Sequence, residues 1–91
     1  MQTHDLKSWP DFFAPILDGS KKFEVRNNDR GFHKGDILNL REWDDRKGVY
    51  TGRSIKKKVT YVLEGGGQGF IAPRAGIHRN FVVLSLDEVA E

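Results

Sequence analysis

One stretch of the chain, Trp9–Leu17, spaces its large apolar residues with a helical period, at Trp9, Phe12, Phe13, Ile16 and Leu17. That is the i, i+3, i+4, i+7, i+8 template of an amphipathic helix. The other apolar runs alternate as strands do, bounded by glycine, asparagine and aspartate clusters. A chain with one early helix and otherwise strands joined by short turns buries its apolar faces by curling the sheet into a small barrel or half-barrel. The expected fold is therefore α+β, a small barrel-like sheet of five or six strands with one main N-terminal helix. At 91 residues there is room for one core, so residues 1–91 are expected to form a single domain.

The pattern places the elements in order. Thr3–Lys7 reads as a short first strand. Ser8 is the natural N-cap of the helix, Asp11 suits its positive end, and Gly19 suits its C′ position. Pro15 removes one backbone donor, so the helix is expected to be kinked or short. Trp9, Phe12 and Phe13 are expected in the core, where truncating Phe12 or Ile16 would destabilise the fold. Lys22–Asn28 is a second strand, Lys34-Gly35-Asp36 a turn, and Asp36–Trp43 a third strand. After a hairpin loop at Asp44–Gly48 come a short strand Val49–Thr51, a turn at Gly52, and a long strand Arg53–Leu63. In that long strand Ile55, Lys57, Val59, Tyr61 and Leu63 share one face. Residues 64–80 are irregular, and the run Gly65–Gly69 can serve as a flexible cover. Phe81–Leu86 is nearly continuous apolar and is expected to be an interior strand.

Composition excludes several classes. There is no cysteine, which rules out disulfides and thiolate chemistry and leans toward a reducing compartment. Met1–Ser8 is polar, unlike a signal peptide, and no apolar run approaches the roughly 20 residues of a membrane span. The expected address is the cytoplasm, away from membranes. Net charge is only +2, but its distribution is uneven. Arg46, Lys47, Arg53, Lys56, Lys57 and Lys58 crowd one segment without an acid, while Asp87, Glu88 and Glu91 close the chain. A basic segment of this kind attracts phosphate or an acidic protein partner; lysines also guard exposed strand edges.

The segment Gly19-Ser20-Lys21-Lys22-Phe23-Glu24-Val25-Arg26 reads G-x-K-x-x-E-x-R. Glu24 and Arg26 are two apart and share one strand face, which leaves Phe23 and Val25 to enter the core on the other. The alternative is an ordinary surface ion pair. For binding, Arg26 can fork onto a phosphate, Lys21, Arg30 and neighbouring bases add charge, and Glu24 can accept from the exocyclic amine of a base. Trp43 and Tyr50 flank the hairpin loop and can stack on an unpaired base or pack on each other. Lys56 and Lys58 can make salt-sensitive backbone contacts. For catalysis, Lys21 and Glu24 can work as an acid–base or nucleophile–base pair only if Lys21 belongs to the turn, since on one strand they point apart. His4, His33 and His78 lack metal-ligand spacing, so neither metal nor cofactor is expected. Ser20, Ser54 and Ser85 lie in no nucleophile motif, and the glycine run lacks the Lys-Ser/Thr of a P-loop.

Trp9, the helix, Gly19, Lys21, Glu24 and Arg26, followed by Gly35-Asp36-Ile37-Leu38, resemble the ASCH domain of the PUA-like superfamily. Arg41-Glu42-Trp43, Tyr50-Thr51-Gly52-Arg53, Val59–Leu63 and Phe81–Leu84 resemble a closer subgroup of small bacterial and phage proteins of unknown function. The resemblance covers about residues 4–86. It implies a PUA-like pseudo-barrel with the helix beside a cleft, and RNA binding or handling of modified nucleosides. Some ASCH-like proteins are small amidohydrolases that deacylate N4-acetylcytidine, with a lysine, a threonine three residues on, and a later carboxylate. Lys21 matches that lysine, Glu24 stands at the threonine position, and Glu64 is a candidate for the carboxylate. The expected function is an RNA- or nucleotide-binding module. The alternatives are such an amidohydrolase, with Lys21 and Glu24 as its catalytic pair, and a protein-interaction module.

Overall fold

The computed structural model describes residues 1–66 and 76–90. Its elements are β1 (Thr3–Ser8), α1 (Pro10–Asp18), β2 (Phe23–Asn27), β3 (Ile37–Asp44), β4 (Val49–Glu64) and β5 (Phe81–Glu88). Among the described residues the fold is α+β, one helix against a curled half-barrel sheet of five strands in the order β1-β3-β4-β5-β2. β1 runs parallel to β3, and every other pairing is antiparallel. β5 is interior, as its apolar run implied. Residues 67–75 and Glu91 lie outside the described residues, and with them most of the run Gly65–Gly69 expected as a cover.

Two irregularities shape β4. Where a turn at Gly52 was expected, the strand runs on through a bulge. Arg41 pairs with Ser54, yet Trp43 pairs with Tyr50. Gly52 has a φ of 95°, a conformation open to glycine and strained for other residues. Further along, the register shifts between Val59 and Tyr61. One extra residue reverses the alternation beyond it. Val59 therefore faces the core, Tyr61 turns out to solvent, and Val62 packs inward in place of Tyr61.

The core gathers on the concave side of the sheet. Leu6, Leu38, Leu40 and Val59 meet Val82, Leu84 and Leu86 there, with Ile16 from the helix and Phe32 from the β2–β3 connection. The helix supplies less than its pattern suggested. Only Phe13 and Ile16 are buried, while Trp9, Phe12 and Leu17 are exposed. Nine residues of helix laid on a small sheet cover it with one narrow stripe, not with the whole five-residue apolar set. Ser8 is not the N-cap either. It is the last inward residue of β1, and Trp9 caps with Pro10 in the first turn and no side-chain cap. Gly19 ends the helix in the left-handed conformation, its N–H donating to the Ile16 carbonyl at 3.2 Å.

The turn into β3 is built around a buried carboxylate. Asp36 accepts from the Gln2 and His33 amides at 3.0 and 2.9 Å and from the His4 ring at 2.9 Å. His4 is buried in turn against Phe32. Burial alone would raise the Asp36 pKa. The His4 hydrogen bond, the two amides and the charge on His4 outweigh it and bring the pKa from 3.8 down to about 2. No helix among the described residues is long and apolar enough to cross a membrane.

Phe13→Ala or Ile16→Ala should destabilise by about 2–5 kcal/mol, as core truncations do, and Phe12→Ala far less. Urea unfolding of the three variants checks the assignment of the helix face. Because the Asp36 pKa is depressed on folding, its contribution is complete above about pH 4 and is lost as the pH falls toward 2. Stability followed over that window should decline less steeply in Asp36→Asn than in the parent.

Candidate functional site

Geometry at the β2 start follows from the helix stop. Gly19 reverses the chain, and the Lys21 N–H donates to the Pro15 carbonyl at 3.0 Å. Lys21 thus belongs to the turn, ahead of β2, and its side chain folds back over the strand. Glu24, the second residue of β2, points inward and is only 4% exposed. Its Oε1 accepts from Lys21 Nζ at 3.4 Å and its Oε2 from Arg26 Nε at 2.9 Å. Arg26 Nη2 continues to the Lys7 carbonyl of β1 at 2.6 Å. The G-x-K-x-x-E-x-R segment is therefore one connected network, and Glu24 holds Arg26.

The opposite face departs from expectation. Phe23 and Val25 do not enter the core; both are exposed. β2 is an edge strand at the open side of the half-barrel, and both its faces reach the cleft, Glu24 and Arg26 from the inward side and Phe23 and Val25 from the exposed side. The cleft has a volume of about 590 Å³. Its polar lining is Lys7, Ser8, Lys21, Glu24 and Arg26. Its apolar lining is Trp9, Phe12, Phe23 and Val25, of which Trp9 is 51% and Phe12 54% exposed. Lys21 Nζ lies 5.1 Å from the Phe12 ring centre and 5.4 Å from that of Phe23, so the cation bridges the two walls.

Other candidate residues lie apart from this cleft. Arg30 donates to the Asp5 carbonyl at 3.1 Å, a second bridge from the β2 side to β1. Trp43 and Tyr50 pack edge to face at 4.9 Å, with Lys7 over Trp43 at 3.9 Å and Arg41 over Tyr50 at 3.8 Å. One face of each ring is therefore covered by a protein cation. Lys56 and Lys58 are exposed on β4, while Lys57 turns inward and pairs with Glu88. Glu64 lines a different pocket with Phe32, His33 and Tyr61. Among the described residues no group of three or more histidines, cysteines, aspartates or glutamates is placed to hold a metal ion.

A third buried carboxylate, Glu42, answers the Gly52 bulge. It accepts from Arg53 Nε and Nη2, each at 2.9 Å, and from the Thr51 hydroxyl at 2.8 Å. The Arg53 bonds lower the Glu42 pKa against the upward pull of burial, with help from Thr51. Sequence reasoning missed Ser8, Lys7 and the aromatic rim of the cleft. The signal for Ser8 was its place in the alternation His4, Leu6, Ser8, all three of which are buried.

These features define a small α+β protein whose helix α1 walls an aromatic-rimmed cleft at the seam of a curled sheet. The chain belongs to the family described as Domain of unknown function (DUF3850), which matches residues 3–86. It is 38% identical over 61 residues to the "Uncharacterized 12.9 kDa protein in GpA 3'region" of Escherichia phage P2. That similarity covers 67% of this chain and 54% of the phage protein, so the chain spans about half of that relative's length.

Glu24→Gln keeps the shape and removes the charge that holds both cations. It should lower stability by about 1–3 kcal/mol, the range for leaving buried partners unsatisfied. Arg26→Lys keeps the charge but cannot span Glu24 and the Lys7 carbonyl with a planar fork, and should also destabilise. Urea midpoints equal to the parent's in both variants would show that the network is solvated and holds nothing.

Proposed function

We propose that this protein is an ASCH-type, PUA-like module that binds RNA or a nucleotide in the cleft between α1 and β2. The observation that carries the reading is the union of exposed aromatic rims with a buried carboxylate held between two cations. Trp9, Phe12 and Phe23 offer flat surfaces on which an unpaired base stacks, worth about 1–3 kcal/mol per base. Glu24 retains lone pairs to accept from a base amine. A volume of about 590 Å³ falls within the usual range of small-molecule sites. Lys56 and Lys58, exposed on β4, add phosphate contacts along a bound strand.

A second reading has its own support in the approach of Lys21 Nζ to Glu24 Oε1 at 3.4 Å. The turn brings the two residues together as acid–base chemistry requires. In this reading the protein is a small amidohydrolase acting on a modified nucleoside such as N4-acetylcytidine. Glu24 then stands where such enzymes carry threonine, so the carboxylate takes over the proton-handling role at that position.

Titration of short single-stranded RNAs and free nucleosides at two salt concentrations tests the first reading. RNA affinity should fall with salt. Replacing Lys56 and Lys58 with glutamine should flatten the log–log slope by roughly 0.7 per lost contact. An unchanged slope would return these lysines to ordinary solvated surface. Cytidine released from N4-acetylcytidine, and abolished by Lys21→Ala, would establish the second reading. Absence of both binding and turnover would overturn both.

A further inference from the structure

Ser8 is the buried group in the cleft wall that the fold leaves without a use. It closes β1 on the inward side, 2% exposed, and it lines the cleft. Its hydroxyl is the buried side-chain polar atom among the described residues that has no hydrogen-bond partner. Glu42, opposite it in the β1–β3 register, is already engaged by Arg53 and Thr51. Buried hydroxyls are almost always bonded, and one left without a protein partner at the wall of a cleft is free to bond what enters it.

The charges beside Ser8 narrow what that is. Lys21 and Arg26 both hold Glu24, and Arg26 also holds the Lys7 carbonyl. Lys7 directs its ammonium onto the Trp43 ring at 3.9 Å. Each cation of the cleft lining therefore has a protein partner, and the Glu24 carboxylate offsets one of the two charges beside it. A phosphate in the cleft would have to displace these contacts and approach a carboxylate. A flat, neutral ring meets no such opposition: it finds the aromatic walls, the spare lone pairs of Glu24, and a hydroxyl that both donates and accepts.

We infer that the cleft takes the base itself and not the phosphate, and that Ser8 Oγ is a recognition residue that bonds the polar edge of the stacked ring. This rests on the base-binding reading above and adds to it the part of the nucleotide that is bound and the residue that reads it. Phosphate contacts, and the salt dependence they bring, belong to the exposed lysines of β4.

The test is calorimetric titration of the parent, Ser8→Ala and Phe12→Ala with adenosine, cytidine, guanosine and uridine, with their 5′-monophosphates, and with a short single-stranded RNA. At least one nucleoside should bind the parent, its monophosphate within about threefold, with little change on raising salt. Ser8→Ala removes an unbonded hydroxyl, so its melting temperature should equal or exceed the parent's while nucleoside affinity falls about tenfold. That fall is the loss of one hydrogen bond. Phe12→Ala, on the exposed rim, should weaken binding without disturbing the core. Nucleoside affinity unchanged in Ser8→Ala would overturn the role of Ser8. A monophosphate bound a hundredfold tighter than its nucleoside would overturn the choice of base over phosphate. RNA binding without any nucleoside binding would overturn this inference and leave the RNA-binding reading standing; binding of neither would remove both.

Discussion

The open side of the half-barrel is joined by side chains, with one link set by the Glu24 carboxylate. β1 and β2 are the two edges of the sheet and are not neighbours in its hydrogen-bonded order. Glu24 aligns Arg26, and Arg26 reaches across to the Lys7 carbonyl. Arg30 repeats the bridge at Asp5. The seam is thus joined by guanidinium groups where a closed barrel would use a backbone ladder. An edge strand carries unpaired backbone acceptors, and Arg26 and Arg30 satisfy two of those of β1. Because the join is made by side chains, it leaves room for a cleft beside it. The cleft exists where it does because the sheet curls without closing.

This arrangement also explains the exposed aromatics. Trp9, Phe12 and Phe23 would bury more area in a thicker protein. Here the concave face is filled by leucines and valines from β3, β4 and β5, with Ile16 and Phe32, and the helix contributes one stripe to it. Trp9 and Phe12 on one side and Phe23 and Val25 on the other line the walls of the cleft, with Lys21 between the Phe12 and Phe23 rings. A lysine stem over two rings keeps the walls in contact with a charge and not with each other. The structural role of Arg26 limits what it can offer a ligand, since loss of its bonds would open the seam.

Much was legible in the residues alone. One helix among strands, the left-handed stop at Gly19, the turn at Asp36, the interior place of β5, and the shared face of Glu24 and Arg26 all follow from local period and turn chemistry. These depend on neighbours a few residues away, which a sequence displays directly. That Lys21 joins Glu24 and Arg26 was decided by the fold, which puts Lys21 in the turn. The helix cap at Trp9 did not follow, because Ser8 was drawn into β1 by its pairing with β3.

What only the tertiary structure decided depends on partners far along the chain. The face that Glu24 shares with Arg26 was readable, but whether that face is the inside or the outside was not. Alternation distinguishes two sides and does not label them, and β2 sits at an edge where the buried side is polar and the exposed side apolar. The bulges at Gly52 and Thr60 changed the count on β4 after its local pattern had been set, turning Tyr61 out and bringing Thr51 and Arg53 onto Glu42. The cleft and the unbonded Ser8 hydroxyl in its wall arise from the meeting of β1, α1 and β2 at the seam. The sequence by itself determined the order of helix and strands and the shared face of Glu24 and Arg26. The curl of the sheet, set by long-range pairing, decided which residues that face would meet.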